Sequence, residues 1–310
     1  MGARHNERGH HLRMLLAGAA GASLIATGTA AGLPNAAAAR TPLQVVAAEN
    51  FWGSLAAQLG GDQAQVFSIV TDPNADPHEY ESSSADARRV AQASLVIVNG
   101  AGYDSWAQLL LAAQPASGRR LLDVAQLLGQ GPGANPHFWY QPDYVLRVVS
   151  RIAAEYRALR PSSAAYFAAR LHQLQRALQP YRARLAAIQR RDRGEQVAAT
   201  ESIFVYLAHY LKLDLVTPTS FMKAVSEGVD PPVSSVAAFQ SQLQRHSFRT
   251  LVYNVQTVTP LTSSLEAAAR REHIPVVGIS ETVRPRGASF EAWMDHQLSQ
   301  LASALTQGRH

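Results

Sequence analysis

The sequence predicts an α/β protein made of two βα lobes, each with a parallel four-stranded sheet, that are joined by a long rigid helix. Short apolar runs alternate with helical stretches in both halves of the chain, which is typical of parallel βα units. Residues 143–192 lie between these halves, contain no strand candidate and follow helical spacing instead. The chain is also long enough for two lobes of roughly 110 to 150 residues.

The first 39 residues predict a signal peptide that is removed from the mature chain. Three arginines precede an apolar stretch over 14–33, and a run of alanines offers a small-residue cleavage site at Ala39. The 310-residue chain contains no cysteine, so neither a disulfide nor a lipid anchor on a cysteine is expected. We therefore expect an exported, periplasmic protein without a lipid anchor.

The N-terminal lobe is predicted over 40–142, and the C-terminal lobe over 194–310. In the first lobe the strand candidates are 44–48, 65–70, 95–98 and 121–124, and the helices are 51–59, 85–93 and 103–113. In the second lobe the strand candidates are 197–200, 213–216, 250–255 and 274–279, with a helix at 203–211 and a closing helix at 289–305.

The linking segment is predicted over 143–193 as two helices. The first shows apolar residues at helical spacing between 145 and 153, and Pro161 starts a second, stiff helix over about 162–191. Pro180 is expected to kink or interrupt this second helix, because proline has no N–H to donate within a helix.

The charge balance argues against a nucleic-acid partner. The chain has 28 Lys and Arg against 23 Asp and Glu, a formal net charge of +5, and three of the arginines belong to the leader. The mature chain is therefore close to neutral with scattered arginines, whereas nucleic-acid binding needs a concentrated basic face.

Two Pro-His dipeptides and two carboxylates follow predicted strands. The imidazoles are those of His78 and His137, and the carboxylates are those of Glu201 and Glu281. Parallel sheets bind ligands beyond the carboxyl ends of their strands, so these four side chains are expected to converge. Neutral nitrogen and anionic oxygen suit Mn, Fe or Zn. The sequence therefore predicts one divalent transition-metal site.

Each of these residues also has a plain structural interpretation. His78 would otherwise be a surface-loop histidine, although the proline before it stiffens its approach. Glu201 would be a favourable first-turn acid of a helix capped by Thr200, and this role is compatible with ligation. Glu281 would ordinarily be a solvated acid at a strand end.

Further polar residues near these motifs are candidates for orienting the ligands through hydrogen bonds, with ordinary turn roles as the alternative. These candidates are Asn50, Asn99, Asn254 and Gln256. Five other histidines are interpreted as surface or core-edge residues. They are His172, His209, His246, His273 and His296.

These motifs resemble those of the zinc/manganese (cluster A-I) substrate-binding proteins of bacterial metal ABC importers. The resemblance covers about 43–305 and rests on six segments in the same order. They are Ala-Ala-Glu-Asn-Phe-Trp-Gly at 47–53, Asp-Pro-His-Glu-Tyr-Glu at 76–81, Asn-Pro-His-Phe-Trp-Tyr at 135–140, Ala-Thr-Glu-Ser-Ile-Phe at 199–204, Tyr-Asn-Val-Gln-Thr at 253–257 and Pro-Val-Val-Gly-Ile-Ser-Glu-Thr at 275–282.

The resemblance implies that His78, His137, Glu201 and Glu281 bind one Mn or Zn ion between the lobes. The ion would be cargo, delivered to the permease of an ABC importer, and the protein is expected to be a monomer. Zinc members often have histidine where this chain has Glu201, which shifts the expectation slightly toward manganese, while zinc still binds tightly. The loop over 129–134 lacks the His/Asp/Glu run of some zinc-specific relatives, so no metal-collecting loop is expected.

The alternative from another class is a metal-dependent hydrolase that uses the same His/Glu site. Catalysis needs an open coordination position for water and a nearby base, and four protein ligands leave little room. The sequence contains no HExxH motif, nucleophile elbow or phosphate-binding glycine loop. We therefore expect a carrier and no enzyme. An adhesin role has no support from a repeat or an aromatic patch.

Overall fold

The computed structural model describes residues 41–74 and 77–307. The predicted signal peptide at 1–39 and Asp76 of the first Pro-His motif lie outside this part of the chain.

The N-terminal lobe alternates strands and helices around one parallel sheet. Its strands are β1 (Leu43–Glu49), β2 (Ala64–Val70), β3 (Leu95–Val98) and β4 (Arg120–Asp123), and its helices are α1 (Asn50–Gly60), α2 (Ser84–Gln92), α3 (Ser105–Ala113) and α4 (Val124–Leu128). All strand pairs are parallel, in the order β2-β1-β3-β4. Alternate residues of β1 pack on opposite faces, with Val45 in one hydrophobic cluster and Val46 in another, because both faces of the sheet are covered.

The linking segment consists of three helices. They are α5 (Pro142–Leu159), α6 (Ala164–Ala177) and α7 (Gln179–Asp192). The predicted long helix over 162–191 is therefore divided at Leu178 into α6 and α7. Pro180, in the first turn of α7, has no N–H to donate to the preceding turn, which accounts for the interruption that the sequence predicts there.

The C-terminal lobe repeats the architecture of the first. Its strands are β5 (Gln196–Ala199), β6 (Asp214–Leu215), β7 (Leu251–Asn254) and β8 (Val276–Ile279), and its helices are α8 (Val205–Leu211), α9 (Thr219–Ser226), α10 (Val233–Gln244), α11 (Pro260–Arg271) and α12 (Phe290–Gln307). The strands are again parallel, in the order β6-β5-β7-β8, so corresponding strands occupy the same positions in both sheets. This confirms the predicted fold class.

One continuous hydrophobic cluster extends through both lobes and the linking helices. It includes Trp52 of α1, Ile152 of α5, Leu185 of α7 and Trp293 of α12, all at most 1% exposed. A hydrogen bond also joins two of these helices: the backbone N–H of Phe290 in α12 donates to Oγ of Ser54 in α1 at 3.0 Å. The lobes therefore share a core and are not joined by a flexible hinge alone.

Within the described residues, no helix has both the length and the apolar character that crossing a bilayer requires.

Candidate metal centre

The N-terminal lobe places two imidazoles where it meets the C-terminal lobe. His78 lies in the 3₁₀ turn Pro77–Glu79 that follows β2. His137 directly precedes the 3₁₀ turn Phe138–Tyr140, whose three aromatic side chains are completely buried. This buried turn fixes the backbone beside His137, and the two imidazole rings lie 5.9 Å apart, centre to centre.

The C-terminal lobe contributes two buried carboxylates, each from a loop that follows a strand of its sheet. Glu201 lies two residues after β5, and Glu281 lies two residues after β8. Both are at most 1% exposed. Glu201 Oε1 accepts a hydrogen bond from the backbone N–H of Ile203 at 2.9 Å, so this residue also caps the turn that leads into α8. The sequence interpretation assigned the cap to Thr200, whereas in the structure Glu201 itself is the N-cap, and this role coexists with its place in the cluster.

The four side chains pair across the boundary between the lobes. Nε2 of His78 is 3.5 Å from Oε2 of Glu281, and Nε2 of His137 is 3.5 Å from Oε1 of Glu201. His78, His137 and Glu281 each offer a donor atom within 4.8 Å of the other two. Glu201 joins this group through its contact with His137. The structure thus brings all four predicted side chains to one place.

His137 is held as a neutral imidazole with one nitrogen directed into the cluster. Its Nδ1 lies 2.7 Å from Oδ1 of Asn135, and its Nε2 is buried without a hydrogen-bond partner. Burial lowers the pKa of His137 well below its ordinary value of 6.5, and the neighbouring imidazole of His78 adds a smaller effect in the same direction. Neutral imidazole is the form that binds a metal, and an amide oxygen on the opposite nitrogen is the usual means of orienting it.

The ionised form of Glu201 is unfavourable when no cation is present. Burial and the negative charge of Glu281 raise its pKa to about 8, although hydrogen bonds from Asn254, Ile203 and Ser226 act in the opposite direction. Two buried carboxylates close together favour a proton or a cation between them. The site therefore has the electrostatic character of a cation-binding site.

One of the predicted orienting residues, Asn254, contacts both carboxylates directly, and a second, Gln256, bonds to the backbone at Glu281. Nδ2 of Asn254 lies 2.6 Å from Oε2 of Glu201 and 2.6 Å from Oε1 of Glu281. Oε1 of Gln256 accepts the backbone N–H groups of Glu281 and Thr282, at 2.7 and 3.2 Å. These bonds fix the loop after β8 and the position of its carboxylate.

The other two orienting candidates support the surrounding backbone. Asn99 accepts a hydrogen bond from the indole N–H of Trp52 at 3.0 Å and donates to the carbonyl of Pro136 at 2.9 Å, which steadies the loop of His137. Asn50 accepts the backbone N–H of Val283 at 2.9 Å, which ties α1 to the loop of Glu281.

Sequence reasoning missed three residues that contact the ligands. The hydroxyl of Tyr103 donates to Oε2 of Glu281 at 2.6 Å, across the lobe boundary. Asn135 holds the His137 ring, and Ser226 donates to Oε1 of Glu201 at 3.3 Å. Tyr103 follows β3, so its position after a strand is a signal that could have marked it, whereas nothing in the sequence marks Ser226 at the end of α9.

A second pair of acids lies buried behind the cluster. Glu49 and Asp104 are at most 1% exposed. Burial, and then the negative charge of Asp104, raises the pKa of Glu49 well above its ordinary value. Asp104 accepts the backbone N–H of Gly100 at 2.9 Å, so it fixes the turn before Tyr103. Burial and the neighbouring acid thus favour the protonated form of Glu49.

A cleft of about 1140 Å³ leads from the surface to the cluster. His78 and Tyr103 line it from the N-terminal lobe, and Ser202, Ser226 and Thr257 line it from the C-terminal lobe. The side chain of His78 is 27% exposed, whereas that of His137 is completely buried. His78 is thus the ligand candidate closest to solvent. The five histidines that the sequence assigns to the surface are all exposed.

A family model described as the zinc-uptake complex component A, periplasmic, matches residues 45–304. The chain therefore belongs to this family of periplasmic zinc-uptake components. The resemblance to zinc/manganese substrate-binding proteins is thereby confirmed.

Two solved structures show the same fold. A crystal structure of ZnuA superimposes with a TM-score of 0.67 at 20% identity, covering 86% of this chain and 100% of that chain. The substrate-binding protein FpvC from Pseudomonas aeruginosa, in complex with Mn²⁺, gives a TM-score of 0.71 at 19% identity, covering 86% and 99%.

Relatives found by sequence also have low identity to this chain. A putative metal-binding protein of Treponema pallidum (strain Nichols) is 22% identical over 263 residues, which cover 76% of this chain and 79% of that protein. The manganese-binding lipoprotein MntA of Halalkalibacterium halodurans is 26% identical over 132 residues, which cover 41% and 43%. The match to MntA therefore spans less than half of that lipoprotein.

Proposed function

We propose that this chain is the substrate-binding protein of a metal ABC importer. It captures one divalent Mn or Zn ion between its lobes and delivers the ion to the permease. His78, His137, Glu201 and Glu281 are the proposed ligands. The ion is cargo, so it must be held tightly and also released.

One observation carries this proposal. Each lobe supplies one member of each close pair, with His78 opposite Glu281 and His137 opposite Glu201, both at 3.5 Å. Buried imidazole and carboxylate groups of this kind are the donors that Mn and Zn accept. Because neither lobe holds the complete set, binding the ion also joins the lobes.

The arrangement favours a carrier over the metal-dependent hydrolase. A hydrolytic metal needs a coordination position open to water and a base beside it. Here four protein donors surround the site, and the buried acids nearest to it are committed, with Glu201 a proposed ligand and Asp104 bonded to backbone N–H groups. Among the described residues, the buried Glu49 behind the cluster is also a poor base, because burial favours its protonated form.

Delivery requires local movement around a stiff frame. The shared core of α1, α5, α7 and α12 resists a large opening of the lobes. The turn of His78 borders the cleft and carries the most exposed of the four ligands, so release proceeds from this side. We further propose that the mature protein is a periplasmic monomer, cleaved near Ala39, without a lipid anchor and without affinity for nucleic acid.

The proposal is tested by the metal content of protein purified without chelator and by chelator-competition titration with Zn²⁺ and Mn²⁺. We expect one ion per chain and tight binding of at least one of the two metals. Metal-loaded and metal-free protein should both be inactive against ester, peptide and phosphoester substrates. Metal-dependent turnover, or binding of neither metal by folded protein, would refute the carrier proposal.

A further inference from the structure

We propose that Asn254 sets the metal preference of the centre by holding each carboxylate to a single metal-binding oxygen. This inference rests on the metal-capture function proposed above. Asn254 is the last residue of β7, which lies between β5 and β8 in the sheet. Its side chain therefore reaches between Glu201, which follows β5, and Glu281, which follows β8.

The amide group of Asn254 contacts one oxygen of each carboxylate. Nδ2 lies 2.6 Å from Oε2 of Glu201 and 2.6 Å from Oε1 of Glu281, and an amide nitrogen has one hydrogen for each. Oγ1 of Thr257 is a third acceptor at the longer distance of 3.0 Å. The backbone N–H of Gln256 donates to Oδ1 of Asn254 at 3.0 Å, which fixes the amide so that its nitrogen faces the carboxylates.

The remaining oxygen of each carboxylate faces an imidazole and also accepts a hydrogen bond, from the backbone N–H of Ile203 to Oε1 of Glu201 at 2.9 Å and from the hydroxyl of Tyr103 to Oε2 of Glu281 at 2.6 Å. Oε1 of Glu201 lies 3.5 Å from Nε2 of His137, and Oε2 of Glu281 lies 3.5 Å from Nε2 of His78. The donor set directed at the ion is thus two nitrogens and two oxygens. For either carboxylate to bind the ion through both oxygens, it would have to turn so that the oxygen held by Asn254 also faces the imidazoles.

Four side chains that each bind the ion through one atom favour zinc over manganese. Tetrahedral bonds of about 2.1 Å place neighbouring donors about 3.4 Å apart, close to the two donor distances seen here. Manganese favours oxygen-rich sites of higher coordination number, which two-oxygen binding by a carboxylate would supply. The pair of carboxylates alone indicates manganese, but the amide between them removes the oxygens that manganese needs.

The test is the Asn254→Ser variant of the full mature chain. Serine is polar but too short to reach both carboxylates, so one oxygen of each becomes available to the ion. Affinities for Zn²⁺ alone and Mn²⁺ alone are measured by chelator competition, and Co²⁺ is used as a spectroscopic probe. We expect the ratio of the Zn²⁺ affinity to the Mn²⁺ affinity to fall by at least about tenfold. This is the smallest change in metal affinity that loss of a ligand-orienting group typically causes.

The cobalt spectrum reports coordination number directly. Wild-type protein should show the intense visible absorption of four-coordinate Co²⁺, and Asn254→Ser should show the weaker absorption of five or six donors. The matched control is Asn135→Ser, because Asn135 contacts the His137 ring and neither carboxylate. This control should weaken binding of both metals together, with the affinity ratio and the cobalt spectrum unchanged.

Each outcome separates this inference from the proposed function. If folded wild-type protein binds neither metal, metal capture itself fails. If wild type binds metal but Asn254→Ser leaves both the ratio and the cobalt spectrum unchanged, only the role of Asn254 is overturned. An equal change of ratio in Asn135→Ser overturns it as well. Should Asn254→Ser not fold, a five- or six-coordinate cobalt spectrum of the wild type overturns the inference, and a four-coordinate one supports it.

Discussion

At the scale of single residues, three of the candidate ligands divide their polar atoms between the protein and the site. His137 commits Nδ1 to Asn135, and Glu201 and Glu281 each commit one oxygen to Asn254. The other atom of each faces the cluster, although the second oxygens of Glu201 and Glu281 also accept hydrogen bonds from Ile203 and Tyr103. Such partners fix the tautomer and the orientation of a ligand before the ion arrives. The site is therefore largely organised without its cargo.

The first prediction concerns the two histidines. His78→Ala and His137→Ala each remove one of four proposed donors. Loss of a residue that only orients a ligand typically weakens metal binding about 10- to 100-fold. We expect each of these two variants to weaken the binding of Zn²⁺ and Mn²⁺ by more than that. Chelator competition measures this effect. His137→Ala should also lower the unfolding temperature, because the ring is completely buried, whereas His78→Ala should lower it little.

The exposed histidines His209 and His296 provide matched controls for this experiment. Their alanine variants remove an imidazole of the same kind at a distance from the cluster, so metal affinity should stay at the wild-type value. Wild-type affinity in a folded His78→Ala or His137→Ala protein would contradict the assignment of that residue as a ligand.

At the scale of elements, sequence patterns located the strands better than the smaller helices. The runs at 95–98 and in the first strand are apolar because both faces of each parallel sheet are covered, and this leaves a clear signal. The predicted strand at 213–216 shortens to β6 because only two of its residues pair with β5. The patterns did not mark α4, α9, α10 or α11. Of these, α4 has only five residues, and so short a helix carries little periodicity.

The second prediction concerns the start of α2. Ser83 accepts the backbone N–H of Asp86 at 3.2 Å, and the side chain of Asp86 accepts the backbone N–H of Ser83 at 2.8 Å, which together form a capping box. Ser83→Ala should lower the free energy of unfolding by roughly 0.5–2 kcal/mol. Urea denaturation measures this change.

The neighbouring residue Ser84 is the matched control for this cap. It is exposed and lies in the first position of α2, where it does not act as the N-cap, so Ser84→Ala should leave stability nearly unchanged. Equal loss of stability in both variants would show that the capping box does not stabilise α2.

At the scale of the whole molecule, the site depends on the order of strands in space. The sequence predicts that Glu201 and Glu281 follow strands, but not that β7 lies between those strands and places Asn254 between the two carboxylates. The contact of Tyr103 with Glu281 likewise depends on how the lobes pack, since the residues are far apart in the chain. Motifs identified the proposed ligands and four candidates for orienting them, and the fold shows which atoms those candidates contact.

The last prediction is that the stability gained from metal depends on pH. Burial and the charge of Glu281 raise the pKa of Glu201 from 4.5 to about 8 in the folded, metal-free protein. A carboxyl group with a raised folded-state pKa gives stability that is complete below its unfolded pKa and is lost as pH rises through its folded pKa. The contribution of Glu201 to the stability of the metal-free protein should therefore be lost between about pH 5 and pH 8.

Bound metal reverses this loss, because the ion neutralises Glu201 in its ionised form and binds the imidazoles only when they are neutral. The rise in unfolding temperature caused by saturating Zn²⁺ should thus be small near pH 5 and increase toward pH 8, as followed by differential scanning calorimetry. In the control variant Glu201→Gln, which has no ionisable group at this position, the metal-free protein should lose less stability over the same range. A metal-induced rise that is constant with pH would mean that Glu201 does not bind the ion in its ionised form.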